Sequence, residues 1–223
     1  MIMEQRDLPQ SKDWNHFWSS EKTKSFRPES WSKRRILRIL SFYIKEGQNV
    51  LDAGCGSGFF SKYFSDQKMN VYSLDYSTEA LEMTKALTSL RAVTLKKDLL
   101  NEDLSTSIEK RFDIIFSDGL FEHFTIDEQD KIMHNLKNVL SDNGRVITFI
   151  PNRWSPWQWI RPFLMPGIKE RPLTIKELID LNMRHNLVVK EQGGINVFPF
   201  SCSPDKILGR HFGMLLFTVS QKQ

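Results

Sequence analysis

The stretch VLDAGCGSGFF, Val50–Phe60, decides the fold because it joins an apolar run to a glycine-rich turn at Gly54, Gly56 and Gly58. Such a turn between a first strand and a first helix lets a ligand approach main-chain N–H groups. The dinucleotide pattern G-x-G-x-x-G would require a third glycine where Phe59 stands, and no Gly-Lys-Ser/Thr follows as in a phosphate-binding loop. The stretch therefore predicts a nucleotide-like ligand without a pyrophosphate.

The composition is that of an ordinary globular protein. The chain has 223 residues, of which 40% are hydrophobic and 26% charged, so one domain with a sizeable core is expected. No apolar run approaches the roughly 20 residues that span a bilayer, and the polar N-terminus lacks a secretory signal. Cys55 and Cys202 have neither metal-site nor redox spacing, which favours a cytoplasmic setting.

The net charge of +4 is mildly basic, whereas a nucleic-acid binder often gathers a stronger excess on one element. The nearest feature is SKRRILRIL, Ser32–Leu40. Its apolar spacing predicts an amphipathic helix, and we interpret its basic residues as a solvated face.

Between residues 48 and 150, apolar strands alternate with helical patterns. The predicted strands are Asn49–Asp52, Asn70–Asp75, Ala92–Lys97, Phe112–Ser117 and Arg145–Ile150, with late strands at Leu187–Gln192 and Gly213–Ser220. Helix starts are indicated by Ser77 and by the capping boxes Thr125/Glu128 and Thr174/Glu177. This alternation predicts a three-layer α/β fold with a mainly parallel, doubly wound sheet.

The segment 151–172 has a different composition. It carries five of the nine prolines and three of the six tryptophans, and we expect neither strand nor regular helix there. The chain is thus read as a single domain: an N-terminal helical cap at 1–47, a core at 48–150, an insert at 151–172, and a C-terminal helix with strands at 173–223.

Two acids follow the glycine turn at successive strand ends. Asp75 ends the second predicted strand, 23 positions after Asp52, where a carboxylate accepts hydrogen bonds from a ribose diol. Asp98, in LKKDLL, ends the third and could receive an adenine amino group, with Leu99 against the ring. A glycine turn and two such acids at three successive strand ends indicate an adenosine-containing ligand.

These motifs resemble the class I S-adenosylmethionine-dependent methyltransferases. VLDAGCGSG is similar to their first motif, VYSLDYS to the second and LKKDLL to the third, while FDIIFSDGLFEHF and LSDNGRVITFIPN resemble the segments around strands four and five. The resemblance is specific over about residues 48–152 and suggests the small-molecule subgroup. It implies a single methyltransferase domain whose seven-stranded sheet has an antiparallel last strand.

The resemblance also implies S-adenosylmethionine as the cofactor, leaving as S-adenosylhomocysteine. The amino-acid end of the cofactor suits the glycine turn, its ribose suits Asp75, and its adenine suits Asp98. The implied cofactor-binding residues are Asp52, Gly54, Cys55, Gly56, Gly58, Asp75, Tyr76, Asp98, Leu99 and Ser117.

His123, in GLFEHF, is the candidate general base if the acceptor must lose a proton, although a locally bonded histidine at a helix start fits the same position. Glu122 beside it is interpreted as structural. No N/D-P-P-Y/F follows the fourth strand, which weakens methylation of nucleic-acid bases. Asp118 alone is not a metal site, so no metal is expected.

All six tryptophans lie outside 48–150. In the resembled family the N-terminal segment and the insert roof the acceptor pocket, so the aromatic residues there are candidate lid residues: Trp14, Phe17, Trp18, Trp154 and Trp157. Packing of each ring onto the core is the simpler alternative. Arg153, Arg161 and Arg171 could meet an acidic acceptor or simply be solvated.

The leading hypothesis is a methyltransferase for a small, apolar or aromatic acceptor. An RNA-modifying methyltransferase and a non-catalytic methyltransferase-like subunit are the alternatives, and a dehydrogenase is disfavoured by Phe59. We expect a small-molecule acceptor rather than nucleic acid as partner, and the sequence leaves the oligomeric state open.

Overall fold

A computed structural model describes residues 17–18, 29–164 and 170–223. Within these ranges, one sheet of seven strands has the order β3-β2-β1-β4-β5-β7-β6. The strands are β1 (Asn49–Ala53), β2 (Asn70–Asp75), β3 (Val93–Lys96), β4 (Phe112–Asp118), β5 (Leu140–Pro151), β6 (Leu187–Ile195) and β7 (Leu215–Lys222). Strand β7 pairs antiparallel with both β5 and β6, and the other paired strands are parallel. The predicted sheet with an antiparallel last strand is confirmed.

Helices cover both faces of this sheet. They are α1 (Trp31–Leu40), α2 (Phe59–Asp66), α3 (Thr78–Thr88), α4 (Leu104–Ser107), α5 (Ile126–Asn138), α6 (Trp157–Leu164), α7 (Ile175–Arg184) and α8 (Asp205–Phe212), with a 3₁₀ turn at Phe121–His123. Neighbours along β1 point to opposite faces. Val50 accordingly joins a core cluster with Phe64, whereas Leu51 joins a second cluster with Leu136. Two cores on the two faces confirm the three-layer architecture.

The predicted helix starts are confirmed. The Ser77 hydroxyl accepts a hydrogen bond from the Ala80 N–H at 3.2 Å. Both capping boxes form, with the Thr125 and Thr174 hydroxyls accepting from the main chain while Glu128 and Glu177 accept from the cap N–H groups. Each cap satisfies donors that the first helical turn leaves without an intrahelical partner.

The expectation of no regular helix in 151–172 is wrong, because β5 reaches Pro151 and α6 follows. The Ser155 hydroxyl accepts from the Trp157 N–H at 3.3 Å and begins this helix. Pro156 stands just ahead of the first turn, where a missing N–H costs nothing. Helices α4 and α8 also went unpredicted.

The interpretation of the α1 basic face as solvated is wrong for two of its residues. The Lys33 ammonium lies 4.1 Å from the centre of the Phe59 ring. The Arg35 guanidinium forms an ion pair with Asp205 at 2.9 Å and bonds to the Asn196 side chain. Arg34 and Arg38 are exposed as expected. Helix α1 therefore contacts the rest of the protein through two of its cations as well as through its apolar face.

The carboxyl ends of the parallel strands meet at one edge of the sheet, as parallel pairing requires. Pro151 of β5 and Ile195 of β6 both pair with Leu215, at the start of β7. The segments that follow β5 and β6 therefore leave from the same edge as the glycine turn that follows β1. In the described part of the chain, no helix is long and apolar enough to cross a membrane.

Candidate active site

The glycine turn after β1 has a left-handed backbone at all three of its glycines. Gly54, Gly56 and Gly58 have φ angles of 74°, 50° and 78°, a region that side chains with a Cβ rarely adopt. The N–H groups of Gly54 and Cys55 both donate to the Leu74 carbonyl, at 2.8 and 3.0 Å. The turn is thus tied to the end of β2 and leaves its main chain free of Cβ atoms at three alternate positions.

Asp75, at the end of β2, holds this turn. One carboxylate oxygen accepts from the Gly56 N–H at 2.9 Å and the other accepts from the Ser77 N–H at 2.9 Å. Burial raises the pKa of this carboxyl, and the N–H groups of Ser77, Gly56 and Tyr76 oppose that shift. Each oxygen keeps a further lone pair, so Asp75 can accept from a ligand while it braces the turn.

Thr84 of α3 braces the turn from the other side, a role that the sequence did not reveal. Its hydroxyl lies 3.3 Å from the Gly56 carbonyl and 3.5 Å from the Cys55 sulfur. A Cβ on Gly58 would stand 2.7 Å from the Thr84 Cα. The role of Thr84 depends on the close packing of α3 against the turn. A threonine within a helical sequence pattern does not indicate such packing.

Three acids and one lysine set the electrostatics of this edge. Burial raises the pKa of Asp52 to about 7, a bond from the Ser61 hydroxyl at 2.6 Å opposes the shift, and the charges of Asp75 and Asp118 add to it. Burial likewise raises the pKa of Asp118 to about 7 against the attraction of Lys33. Burial lowers the pKa of Lys33, and Asp118 opposes that shift. Sequence reasoning missed the Lys33–Asp118 pair because its members lie 85 positions apart.

The other predicted cofactor residues fall in different surroundings. Asp98 lies two positions beyond β3, and its carboxylate accepts from the Leu100 N–H at 2.9 Å and from the Asn101 side chain at 2.7 Å. Leu99 is buried within the core cluster of Leu51. Tyr76 is 40% exposed beside Asp75.

Ser117 of β4 is buried, and its hydroxyl donates to the Thr148 hydroxyl at 3.4 Å. The two residues are partners across the β4–β5 pairing. The Ser117 side chain is therefore engaged inside the sheet, and a contact with a ligand would have to come from its main chain.

His123 ends the 3₁₀ turn that follows β4, and both it and Glu122 are buried. The Gln129 side chain fixes this turn by donating to the Phe121 and Phe124 carbonyls at 2.8 and 3.0 Å. The Glu122 carbonyl accepts from the Arg171 N–H at 2.7 Å, which ties the turn to the segment before α7.

Glu122 faces His123, with 3.9 Å between its carboxylate oxygen and Nε2. One potential metal-ligating atom each from Glu122, His123 and Glu170 lies within 4.8 Å of the other two. The sequence offered Glu122 only a structural role, because Glu170 is 48 positions away. The expectation of no metal site stays a prediction.

The candidate lid residues divide into three groups. Trp14 lies outside the described residues. Trp18 lies against the glycine turn, since a Cβ on Gly56 would stand 2.6 Å from Cζ2 of its ring. Phe17 packs edge-on against Trp18 with 5.0 Å between ring centres. Trp157 is half-buried. Trp154 is 67% exposed, so packing onto the core does not account for it.

The predicted cations of the insert have protein partners. The guanidinium groups of Arg153 and Arg171 both donate to one oxygen of Glu177, at 2.8 and 2.7 Å. Burial raises the pKa of Glu177, but the bonds from Thr174 and Arg153 outweigh it and hold the pKa below its usual value. These two arginines are thus neither simply solvated nor free for an acidic acceptor. The side chain of Arg161 lies outside the described residues.

Residues 51–148 match the sequence family described as a methyltransferase domain. This match covers just under half of the chain, and together with the strand order it supports a class I S-adenosylmethionine-dependent methyltransferase.

Curated relatives have several kinds of acceptor in their names. The chain is 34% identical over 119 residues to ribosomal RNA small subunit methyltransferase C of Buchnera aphidicola, covering 50% of this chain and 34% of that protein. It is 30% identical over 115 residues to malonyl-[acyl-carrier protein] O-methyltransferase 1 of Ilyobacter polytropus, covering 49% and 40%. The matches thus span less than half the length of these relatives.

Solved structures share the fold at low identity. Magnesium protoporphyrin IX methyltransferase from Synechocystis, with S-adenosylmethionine bound, superposes with a TM-score of 0.69 at 11% identity, covering 99% of this chain and 100% of that one. The N-methyltransferase NodS from Bradyrhizobium japonicum, with S-adenosylhomocysteine, has a TM-score of 0.69 at 12% identity, covering 95% and 97%.

The residues of this chain fit S-adenosylmethionine, the cofactor of the class. The N–H groups of Gly54, Cys55, Gly56 and Gly58 already donate within the protein, so the N–H groups at the start of α2 are the ones suited to the cofactor carboxylate, because a helix start favours an anion. Asp75 keeps lone pairs for a ribose diol.

Proposed function

We propose that this protein transfers a methyl group from S-adenosylmethionine to a small acceptor that is apolar or aromatic. The observation that carries the proposal is the position of Trp18, whose ring lies against the cofactor turn at Gly56. An aromatic side chain there excludes water from the reacting atoms and offers a flat apolar surface to an acceptor.

Each site residue then has a defined task. The turn of Gly54, Gly56 and Gly58 holds the amino-acid end of the cofactor, Asp75 holds the ribose, and Asp98 holds the adenine. Asp52 is a positioning residue, because it is 2% exposed and accepts from the Ser61 hydroxyl. When bound, the cofactor supplies an electrophilic methyl group that an in-line nucleophile displaces. The protein accelerates this step chiefly by holding the acceptor in line.

We assign His123 the role of general base for acceptors that must lose a proton. It stands at the carboxyl edge of the sheet, and the carboxylate of its neighbour Glu122 lies 3.9 Å from Nε2, where a negative charge stabilises an imidazole that has taken up a proton. The side-chain hydrogen bonds from Gln129 to the 3₁₀ turn keep the backbone of this pair fixed. Such a base suits a hydroxyl acceptor, which must lose a proton, better than a thioether, which has none to lose.

An RNA acceptor is the second candidate, favoured by the exposed Arg34 and Arg38 of α1 and by the rRNA methyltransferase among the relatives. It predicts RNA binding that weakens steeply with salt. Two inward cations in the same helix, Lys33 and Arg35, reduce the positive surface that such a partner would meet. The cytoplasmic setting stays a prediction.

Calorimetric titration with S-adenosylmethionine and S-adenosylhomocysteine tests the proposal, on the wild type, on Asp75→Ala and on Asp142→Ala. The Asp142 side chain is 99% exposed and serves as the control. We expect the wild type and the control to bind alike and Asp75→Ala to lose at least about tenfold in affinity, or about 1.4 kcal/mol. No binding to a folded wild type would favour the non-catalytic alternative.

A further inference from the structure

Among the described residues, an apolar surface beside the candidate active site is exposed. It consists of two segments at the carboxyl edge of the sheet, 152–164 and 196–214, and we call it the aromatic rim. Its most exposed large apolar side chains are Trp159 (81%), Ile207 (80%), Trp154 (67%), Phe200 (64%), Ile160 (52%), Phe198 (50%) and Phe212 (48%). Single exposed apolar residues are ordinary, but a run of them in adjoining segments marks an interaction site.

The two segments are bonded into one surface. The Asn152 side chain donates to the carbonyls of His211 and Gly213, at 3.2 and 2.9 Å. The Ser155 hydroxyl donates to the Phe212 carbonyl at 3.4 Å. In the other segment, Asp205 accepts from the Val197 N–H at 3.0 Å, so the loop that carries two exposed phenylalanines is fixed to the start of α8.

The packing of α8 explains why its side chains stay outside. Gly209 is the buried residue of this helix and lies directly on Gly194 of β6, where a Cβ would stand 1.9 Å from the Gly209 carbonyl oxygen. Contact is thus made by backbone against backbone. Ile207 projects from the far side of the helix, about 200° around the axis from Gly209. The fold therefore does not use this side chain.

The charge of the aromatic rim is one-sided. Its two segments contain a single acid, Asp205, which forms an ion pair with Arg35 at 2.9 Å. Of their basic residues, Arg153 is neutralised by its ion pair with Glu177, and the side chain of Arg161 lies outside the described residues. Lys206 and Arg210 are exposed on α8 beside Ile207. Exposed aromatic and aliphatic side chains interleaved with cations are the composition of a helix that lies in the interface of an anionic bilayer.

We propose that the aromatic rim binds the surface of an anionic phospholipid bilayer. Ile207, Phe200 and Trp159 enter the headgroup region, while Lys206 and Arg210 contact the lipid phosphates. Since the rim borders the carboxyl edge of the sheet, this orientation faces the active site toward the membrane. An acceptor dissolved in the bilayer then reaches the site without crossing water. The surface inference stands without the proposed function, since its test uses neither cofactor nor acceptor.

Vesicle co-sedimentation of the full chain tests this. Two kinds of vesicle are compared. One is phosphatidylcholine with about 30% phosphatidylglycerol, which gives a clear negative surface potential, and the other is phosphatidylcholine alone. We expect the wild type to sediment with the anionic vesicles and at least about tenfold less with the neutral ones. Phe200→Ser/Ile207→Ser and Lys206→Glu/Arg210→Glu should each lower the partition coefficient by about tenfold or more.

Phe42→Ser is the matched control, because Phe42 is 77% exposed but lies in the turn before β1, at the opposite edge of the sheet. It should bind like the wild type. Thermal melting checks that every variant is folded. Failure of the wild type to bind anionic vesicles, equal loss in Phe42→Ser, or no loss in either rim variant would overturn the inference. A concentration-dependent dimer that Phe200→Ser/Ile207→Ser abolishes would overturn it too, since a second copy would then cover the rim.

Discussion

The two halves of the carboxyl edge are built in opposite ways. After β1 and β2, the glycine turn is fixed by a buried hydrogen bond that the Asp75 carboxylate accepts and another that the Thr84 hydroxyl donates. After β5 and β6, the aromatic rim leaves side chains such as Trp159 and Ile207 about four-fifths exposed. In the half after β1 and β2, the polar groups are bonded within the protein without a ligand. In the half after β5 and β6, apolar side chains are exposed and do not pack within the described fold.

This difference follows from what each half has to recognise. The cofactor half binds one small molecule of fixed shape, so satisfied polar groups and close packing at Gly58 can be built in advance. In the proposed function the half after β5 and β6, the acceptor half, receives the acceptor, and loops and short helices there allow the acceptor to change while the sheet does not. The curated relatives, whose names give ribosomal RNA and malonyl-[acyl-carrier protein], agree with this division.

The largest expected effect is that of His123→Gln on turnover, since it removes the proposed base. With an acceptor that must lose a proton, kcat should fall by about 10²–10⁴, while affinity for S-adenosylhomocysteine stays unchanged. The acidic limb of the pH–rate profile should also disappear. The exposed His134 of α5 provides the control His134→Gln, which should keep wild-type kcat. A kcat for His123→Gln close to that of this control would remove the base from the mechanism.

A pair of glycine substitutions separates backbone strain from close packing. Gly47 and Gly58 have φ angles of 81° and 78°, but a Cβ on Gly47 meets nothing within 4 Å, whereas one on Gly58 meets Thr84 at 2.6 to 3.0 Å. Gly47→Ala should lower the free energy of unfolding by about 1–2 kcal/mol through strain alone. Gly58→Ala should cost about 2 kcal/mol more from overlap.

Urea unfolding measures both glycine variants, and calorimetry with S-adenosylhomocysteine shows whether the turn still binds. Only Gly58→Ala should lose affinity, by about tenfold or more. Equal unfolding energies for the two variants would mean that α3 moves away freely and that the cofactor half is not as rigid as its bonds indicate.

Asp52 makes the cofactor half sensitive to pH. Burial raises the pKa of Asp52 to about 7 in the folded protein, whereas an unfolded carboxyl has a pKa near 4. Between about pH 4 and 7 the folded state binds a proton that the unfolded chain has released. Its contribution to the free energy of unfolding is therefore full below about pH 4 and is lost as the pH rises, by up to about 1.4 kcal/mol per unit.

Asp52→Asn should flatten this slope, because its amide oxygen still accepts from the Ser61 hydroxyl but does not titrate. Urea unfolding at a series of pH values from about 5 to 8 measures the slope of each variant. Asp142→Asn, at a fully exposed position, should keep the wild-type slope. An unchanged slope in Asp52→Asn would assign the pH dependence to Asp118, whose pKa is raised to about 7 as well.

Features that depend on local sequence patterns could be predicted from the sequence, whereas features that depend on contacts between distant residues could not. The strands, the caps at Ser77, Thr125 and Thr174, and the glycine turn after the first strand depend on local patterns, and they were predicted. Helix α8 was not, since its packing depends on Gly209 meeting Gly194 across 15 positions, and neither glycine shows that contact by itself.

Side-chain partners far apart in sequence were also missed. Lys33 was read as part of a solvated face because its helix alone gives no sign of Phe59 or Asp118. The Glu122–His123–Glu170 group is equally invisible, since the third member comes from beyond α6. Charge pattern predicts which helix face is polar, whereas tertiary packing decides which of its cations is buried.

The smallest expected effect compares two capping boxes. Glu128 and Glu177 cap α5 and α7 alike, but Glu177 also accepts from Arg153 and Arg171. Each Glu→Gln change keeps an acceptor for the cap N–H but removes a negative charge from the first helical turn, so it should lower the free energy of unfolding by about 0.3–1 kcal/mol. Glu177→Gln should cost about 0.5 kcal/mol more, because partly exposed ion pairs are weak, and 1 M salt should remove that excess. If the excess persists in salt, the insert is held by hydrogen-bond geometry rather than by charge, and the acceptor half is more firmly built than its exposed rim indicates.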